Sequence, residues 1–341
     1  MNSSKEAVRV VIAGASSLLG KELNQLLEES HFPASDIRLV DEEFVAGTLT
    51  ESGGEPAVIE TVAEDSFDRA RFAFFTGSAE FSRRHAADAT RAGAVVIDLS
   101  GGLLVDANAR PWIPALDAVL APPAGNSSKN GPQSLFVVPG APADFGISVS
   151  AALAPLGLNR LAVTVLQPVS VHGSEAIEEL ESQVVKLLSL QPVPKTLFDA
   201  QVGFNMLSSY GPESAFKLAD ARDRAVNESR KYLENRAPLP AITLIQAPVF
   251  YSHTFAAFAE FKAAPSLDDV AARLQAAGLK LADGKEEPPN NVNVVGESRP
   301  VLKQPQRDQS IETGVWLWGA ADNLRVPAAA AVAVAEKLLA S

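Results

Sequence analysis

The stretch Val8–Leu23, VRVVIAGASSLLGKEL, changes from the pattern of a buried strand to that of a helix within one turn. Its apolar residues are nearly consecutive at first, as in a strand covered on both faces, and then recur at helical spacing at Leu19, Leu23 and Leu26. A strand that leads directly into a helix is the repeating unit of α/β proteins. The stretch therefore predicts an α/β chain built around a doubly wound parallel sheet.

The turn inside this stretch has features of a dinucleotide site. Gly14 permits a sharp turn, Gly20 permits close approach of the helix to the strand, and the N–H groups at the helix start can bind a pyrophosphate. Ser17 stands where the Rossmann fingerprint has the glycine nearest the phosphates. The turn is either a dinucleotide site altered at Ser17 or a purely structural βα turn. The residues predicted to contact a dinucleotide here are Gly14, Ser16, Ser17, Leu18, Leu19 and Gly20.

Carboxylates follow the second predicted strand, Asp36–Val40, in the run Asp41-Glu42-Glu43. In dinucleotide-binding folds an acidic residue at the end of this strand, about 20 residues beyond the glycines, holds the adenosine ribose hydroxyls. Three carboxylates would also repel a 2′-phosphate, so Asp41 and its neighbours favour NAD over NADP. A solvated acidic turn is the alternative interpretation.

The later pattern predicts a second domain. Arg71–Thr76 and Ala94–Asp98 continue the parallel strands, and Ala121–Ser134 has the composition of an exposed loop. Further strands, in a largely antiparallel set, are predicted at Leu161–Leu166, Ile242–Ile245, Thr254–Phe261, Val292–Val295 and Gly314–Trp318. Helices are predicted from Ile147 to Leu156, after Ser174 as N-cap, and at Pro327–Leu339, which is apolar on nearly all sides and must be covered by protein.

Composition excludes several classes of function. The net charge is −12 without a basic block, so nucleic acid and anionic membranes are not expected partners. No apolar run is long enough to span a bilayer, and Met1–Ala7 is too short and polar for a secretory signal, which predicts a cytoplasmic protein. There is no cysteine, and the four histidines lie far apart, so no metal site is predicted.

Four segments together resemble the aspartate-semialdehyde dehydrogenase family. They are Gly14–Gly20, Gly93–Ser100 (GAVVIDLS), Val226–Leu233 (VNESRKYL) and Trp318–Arg325 (WGAADNLR). The resemblance implies an N-terminal Rossmann-type NAD(P)-binding domain, residues 1–140, to which a C-terminal helix at 325–341 returns. It also implies a second α/β (α+β) substrate and dimerisation domain at 141–324, and hence a homodimer.

The resemblance also implies where the catalytic residues lie. In the family a cysteine attacks the aldehyde, and counting back from Pro155-Leu156 puts Asp144 at that place. Asp144 is predicted to be a helix N-cap rather than a nucleophile. The family's substrate-positioning glutamine matches Gln167 and its general-base histidine matches His253; each is either a catalytic group or a hydrogen-bonded interior residue.

The substrate-binding positions of the family have changed in this chain. Gln246 stands at the arginine that grips the substrate carboxylate, Arg224 at a phosphate- and substrate-binding lysine, and Leu104 at a phosphate-binding arginine. A glutamine cannot supply the bidentate charged fork of an arginine. We also predict that Gly77 and Asn323 contact the dinucleotide.

Two functions remain open on this evidence. The first is a cysteine-less, usg-type paralogue, a non-catalytic homodimer that binds or regulates and takes NAD or NADP, with NAD favoured. The second is an NAD(P)-dependent oxidoreductase that acts on an aldehyde or oxo group, as in amino-acid biosynthesis, through an altered site. It would use either another nucleophile or direct hydride transfer to a carbonyl with His253 as acid. No metal is expected in either.

Overall fold

The computed structural model describes residues 8–52, 54–120, 134–285 and 287–340. Met1–Ala7 and nearly all of the predicted loop Ala121–Ser134 lie outside these residues. The chain divides into two compact units, each described here by itself. The first comprises Met1–Pro114, Pro122–Gly140 and Pro327–Ser341, and the second comprises Ala115–Ala121 and Ala141–Val326.

The first unit contains, within the described residues, a seven-stranded sheet in which every neighbouring pair is parallel. Its strand order is β5-β2-β1-β6-β7-β9-β8, and β3 and β4 form a separate hairpin. The strands are β1 (Val8–Ala13), β2 (Ala34–Asp41), β3 (Leu49–Ser52), β4 (Glu55–Val58), β5 (Glu60–Thr61), β6 (Phe72–Phe75), β7 (Val95–Asp98), β8 (Arg110–Pro111) and β9 (Leu135–Val137). The helices are α1 (Leu18–Glu29), α2 (Ala79–Arg91) and the C-terminal helix (Arg325–Ala340). The predicted doubly wound parallel sheet is confirmed.

Both faces of this sheet are covered, which explains the consecutive apolar residues of β1. Val10 and Ile12 pack in one cluster with α1 and the C-terminal helix, whereas Val11 and Ala13 pack in another with α2. The C-terminal helix contributes five fully buried or nearly buried side chains to the first cluster: Ala328, Ala331, Val332, Val334 and Ala335. The predicted return of this helix to the first domain is therefore confirmed. None of the helices in the described part of the chain has the length and apolarity needed to cross a membrane.

The second unit contains a mixed sheet with strand order β11-β10-β12-β16-β14-β13, and β15 pairs with β16. Its strands are β10 (Leu158–Gln167), β11 (Ala241–Gln246), β12 (His253–Phe261), β13 (Lys280–Leu281), β14 (Val301–Leu302), β15 (Gln306–Arg307) and β16 (Gly314–Ala321). Its helices are α3 (Ala141–Leu153), α4 (Ser174–Leu188), α5 (Leu218–Leu233) and α6 (Leu267–Ala276). The pair β10–β11 is parallel, whereas β10–β12 and β12–β16 are antiparallel.

The two faces of the mixed sheet differ in burial. Residues on one face, such as Val163, Phe255 and Leu317, are almost completely buried. The opposite face carries small and aromatic side chains that are half-buried or exposed, in two rows of cross-strand neighbours. These rows are Thr243–Thr164–Ala256–Trp318 and Ala241–Ala162–Phe258–Trp316. We call this surface the open face.

Three local predictions were wrong. Helix α3 begins at Ala141 rather than at Ile147. Pro142 is tolerated in its first turn, because the N–H groups at that position make no hydrogen bond within a helix. Asp144 therefore lies inside the helix and is not its N-cap. Gly173, at φ 90°, precedes α4, and Ser174 is the first helical residue. Val292–Val295 forms turns rather than a strand, and Val292 and Val295 are exposed.

Candidate functional site

The glycine turn of the first unit is shaped by a close crossing of two chain segments. Gly14 has φ +93°, and a Cβ built on it would lie 2.2 Å from the backbone nitrogen of Gly77, just after β6. A Cβ on Gly20 would lie 2.6 Å from the carbonyl oxygen of Gly14. All three glycines thus allow the end of β1, the start of α1 and the end of β6 to meet.

The polar side chains of Ser17 and Asp41 form hydrogen bonds to the backbone of this turn and its neighbours. Ser17 is the N-cap of α1: its Oγ accepts from the Gly20 N–H at 2.9 Å and donates to the carbonyl of Thr76 at 3.0 Å. Asp41 is 7% exposed, and its Oδ2 accepts from the Ser16 N–H at 2.8 Å. The carboxylate at the end of β2 therefore also holds the glycine turn in place.

The turn fits a dinucleotide pyrophosphate in two respects. The N–H groups of Leu18 and Leu19 are the first two of α1 and have no intrahelical acceptor by position, so they can donate to an anion at the helix start. The missing Cβ atoms of Gly14 and Gly20 let the start of α1 lie close against the ends of β1 and β6, as a dinucleotide-binding turn requires. Ser17 stabilises the turn as a cap, so its replacement of glycine does not disrupt the local fold.

Gln167 and Gln246 are brought together in the second unit. They are the last residues of the parallel strands β10 and β11 and are paired in register, so both side chains lie at the carboxyl edge of the sheet. Gln167 is 2% exposed and Gln246 is fully buried. The carboxyl edge of parallel strands is where α/β proteins place ligands.

A hydrogen-bond network satisfies the Gln246 amide. Its Nε2 donates to the carbonyls of Gln167 and Ala247, each at 2.9 Å, and its Oε1 accepts from the Tyr210 hydroxyl at 2.6 Å. The Tyr210 hydroxyl lies 2.9 Å from His172 Nε2 and 3.4 Å from Gln167 Nε2. Both amide hydrogens of Gln246 are therefore used inside the protein.

Aromatic rings surround His172, the imidazole of this network. Its ring stacks on Phe216 with centroids 4.0 Å apart and contacts the edges of Phe198 and Tyr210. Burial lowers the pKa of His172 to about 4 and raises the pKa of Tyr210 well above its usual value. The network is therefore uncharged near neutral pH.

His253, the expected general base, starts β12 and is 3% exposed. Neither of its ring nitrogens has a hydrogen-bond partner among the described residues. Burial lowers the pKa of His253 to about 3, so the imidazole is neutral at pH 7. Ser252, the residue before His253, is held in place by Asn323. The Asn323 Oδ1 accepts from the Ser252 N–H at 2.8 Å and from the Ser170 hydroxyl at 3.3 Å.

Asp144 lies in the first turn of α3 and is 7% exposed. Its Oδ1 accepts from the Ser148 hydroxyl at 2.9 Å. Burial raises its pKa from 3.8 to about 6, against the smaller lowering effect of the Ser148 bond. No hydrogen bond joins Asp144 to His253 within the described residues, since both His253 nitrogens lack partners.

The Asp144→Asn variant is expected to be more stable than wild type at pH 8 by about 2 kcal/mol, because the amide removes a buried charge and can still accept from Ser148. Because its folded-state pKa is raised, the wild-type carboxyl stabilises the fold increasingly as pH falls from about 6 towards the ordinary value of 3.8, so the advantage of the variant should shrink through this range and vanish by about pH 4. Urea unfolding at both pH values measures this. Asp268→Asn, an exposed first-turn residue of α6, is the control; an equal gain at both pH values for Asp144→Asn would contradict the assignment.

The remaining predicted binding residues lie elsewhere. Arg224 is on α5, where its half-exposed guanidinium donates to the buried Glu228 at 2.8 Å. Leu104 is a partly buried apolar residue of the first unit, packed against the cluster that contains α2. The described residues contain no group of three or more His, Asp or Glu side chains placed to hold a metal ion.

Comparison with known protein families matches both units. Residues 9–131 match the model of the semialdehyde dehydrogenase NAD-binding domain, and residues 151–326, just over half of the chain, match that of the semialdehyde dehydrogenase dimerisation domain. The chain belongs to the semialdehyde dehydrogenase family.

Similar family members cover nearly its whole length. A USG-1 protein homologue from Azotobacter vinelandii is 29% identical, with 98% of each chain covered. An aspartate-semialdehyde dehydrogenase from Legionella pneumophila is 30% identical, covering 97% of this chain and 95% of that protein. The structure of a probable aspartate-semialdehyde dehydrogenase from Pseudomonas aeruginosa has TM-score 0.85 at 27% identity, with 98% of this chain and 99% of that chain covered. The predicted resemblance is confirmed, and the sequence of this member has no cysteine.

Sequence reasoning missed Tyr210 and His172 as parts of the site. His172 lies five residues beyond Gln167, and this proximity was an available signal. Tyr210 lies in an irregular segment and reaches Gln246 across 36 positions of sequence, so no local pattern indicates it. In this semialdehyde dehydrogenase homologue, the two residues complete the network at the carboxyl edge of the mixed sheet.

Proposed function

We propose that this chain is a non-catalytic homodimer of the semialdehyde dehydrogenase family, which binds NAD in its first unit and serves in binding or regulation. It would not interconvert aspartate semialdehyde and aspartyl phosphate. The observation that carries this proposal concerns Gln246, at the position where family members bind the substrate carboxylate through an arginine. Both of its amide hydrogens are donated to backbone carbonyls of the protein itself. The missing cysteine supports it independently.

The chemistry of the family reaction explains why these two changes matter. The aldehyde must first form a thiohemiacetal, so that loss of hydride leaves an acyl thioester for phosphate to attack. The carboxylate of Asp144 cannot form a thioester. A substrate carboxylate would also meet the satisfied Gln246 amide instead of a guanidinium, and would lose its hydration without a charged partner.

The residues that would hold the dinucleotide are those of the glycine turn. Leu18 and Leu19 would donate backbone N–H bonds to the pyrophosphate, and Asp41 has lone pairs left for a ribose hydroxyl. A bound nicotinamide ring would supply a hydride acceptor. The carboxylates of Asp41, Glu42 and Glu43 favour NAD over NADP, because they repel a 2′-phosphate.

The open face supports the homodimer. Contiguous exposed aromatic and small side chains of this kind usually mark an interaction surface, and this one lies within the match to the family's dimerisation domain. A second copy of the chain, in an isologous dimer, is the partner that fits.

Light scattering at micromolar concentration is expected to give about twice the mass of one chain. Thr164→Arg, in the middle of the open face, should give a folded monomer, because it would place an unpaired charge in the interface core. Gln275→Arg, an exposed change on α6, should leave the dimer intact. A monomeric wild type, or a dimeric Thr164→Arg variant, would contradict the assigned interface.

An Asp144→Cys variant tests the proposal. Its phosphate-dependent oxidation of aspartate semialdehyde is measured with NAD or NADP. Because the chain has no other cysteine, a thiol reagent reports directly whether the new side chain is accessible. We expect no turnover even if the reagent finds the thiol accessible, since Gln246 leaves the substrate carboxylate unanchored. Turnover by this single variant would show that the Gln246 network does not block the site.

One observation favours the alternative, an oxidoreductase with a different carbonyl substrate. Buried polar groups are nearly always hydrogen-bonded, and the two unpartnered nitrogens of His253 suit a ligand oxygen. A neutral imidazole would orient such a carbonyl by donating a hydrogen bond. Reduction of an uncharged aldehyde with NADH, abolished in His253→Phe, would favour this function over the first.

A further inference from the structure

Arg84 joins the helix α2 to the end of β2 by a double ion pair. Its Nη1 lies 3.0 and 3.2 Å from the two carboxylate oxygens of Glu42, and its Nη2 lies 3.1 Å from Oε1 of Glu80 on the same helix. The Arg84 side chain is 50% exposed and that of Glu42 is 29% exposed. The guanidinium is therefore at the surface and is held by two carboxylates.

This ion pair adjoins the ribose end of the proposed dinucleotide site. Glu42 directly follows Asp41, whose carboxylate accepts from Ser16 in the glycine turn. In doubly wound folds the acidic residue at the end of the second strand binds the ribose hydroxyls, and an arginine nearby accepts a 2′-phosphate. Arg84 comes from a different helix and is brought there by Glu42.

We propose that the Arg84–Glu42 ion pair sets the preference of this protein between NAD and NADP. While Glu42 is charged, Arg84 is occupied, and a 2′-phosphate meets the carboxylates of Asp41, Glu42 and Glu43. Without Glu42, the guanidinium can offer the phosphate a bidentate pair. Exposed ion pairs contribute little free energy, so release of one carboxylate is sufficient to redirect Arg84. The inference rests on the dinucleotide binding proposed above.

Titration calorimetry with NAD and NADP on the full chain tests this. In Glu42→Gln, the ratio of the NADP to the NAD dissociation constant should fall at least about tenfold relative to wild type, mainly through tighter NADP binding. The double variant Glu42→Gln/Arg84→Gln should return the ratio to within about threefold of wild type, since the gain depends on the guanidinium.

Glu43→Gln is the matched control. It removes the repulsion of one carboxylate from the same exposed turn but leaves the Arg84–Glu42 pair intact, so the ratio should fall in the same direction but by less than about threefold. An equal shift in Glu43→Gln, or a gain that persists in the double variant, would overturn the role of Arg84. If wild type binds NAD and Glu42→Gln shows no shift, this inference alone fails. If wild type binds neither dinucleotide, the proposed cofactor fails with it.

Discussion

The Gly14→Ala variant is expected to lose at least about 3 kcal/mol of unfolding free energy, or to give no folded protein. Two costs combine at this position. An alanine at φ +93° is strained, and its Cβ would lie 2.2 Å from the backbone nitrogen of Gly77, which cannot move without shifting the end of β6. Because the same turn would hold the pyrophosphate, dinucleotide binding should be lost as well.

Gly93→Ala separates the two costs. Gly93 has φ +86°, close to that of Gly14, but a Cβ there meets nothing within 4 Å. This variant should lose only about 1–2 kcal/mol, the cost of the left-handed conformation alone. Urea unfolding at one protein concentration compares them. Equal losses in the two variants would show that the crossing with Gly77 does not constrain the fold.

The Gln246→Arg variant is expected to lose about 3–5 kcal/mol of unfolding free energy, although arginine is the residue that the family resemblance implies at this position. Gln246 is fully buried, and both donors and the acceptor of its amide are satisfied. A guanidinium would bring an uncompensated charge among Gln167, Tyr210 and His172, which are uncharged near neutral pH.

Gln275→Arg is the control for the same chemical change. This residue is exposed on α6, so arginine there should change the unfolding free energy by less than about 0.5 kcal/mol. A Gln246→Arg variant as stable as Gln275→Arg would mean that the pocket accommodates a guanidinium, and would remove the main argument against substrate binding.

Local patterns predicted the parts of the fold that depend on neighbouring residues. The consecutive apolar residues of β1, the spacing of α1 and the glycines between them specify a βα unit, and the structure contains it. Helix α3 begins six residues before the predicted start at Ile147, because proline is tolerated in a first turn and the helix includes Pro142. Val292–Val295 has apolar residues in a strand-like order, but the segment forms turns in which Val292 and Val295 are exposed.

The site could be predicted only where the family resemblance supplied positions. Gln167 and Gln246 were named in this way, and their parallel pairing at the strand ends follows from the fold. Tyr210 and Arg84 could not be found, because their partners Gln246 and Glu42 are 36 and 42 residues away along the chain. Only the tertiary structure shows that the Gln246 amide, at the family's carboxylate-binding position, is fully hydrogen-bonded to other residues of the protein.

This chain is expected not to catalyse the family reaction. The measurement is phosphate-dependent reduction of NAD or NADP by aspartate semialdehyde with the purified wild-type protein, beside an active aspartate-semialdehyde dehydrogenase as positive control. We expect no rate above the enzyme-free background with either dinucleotide, since the chain has no thiol and Gln246 has no free donor. Sustained turnover proportional to the concentration of this protein would contradict the account.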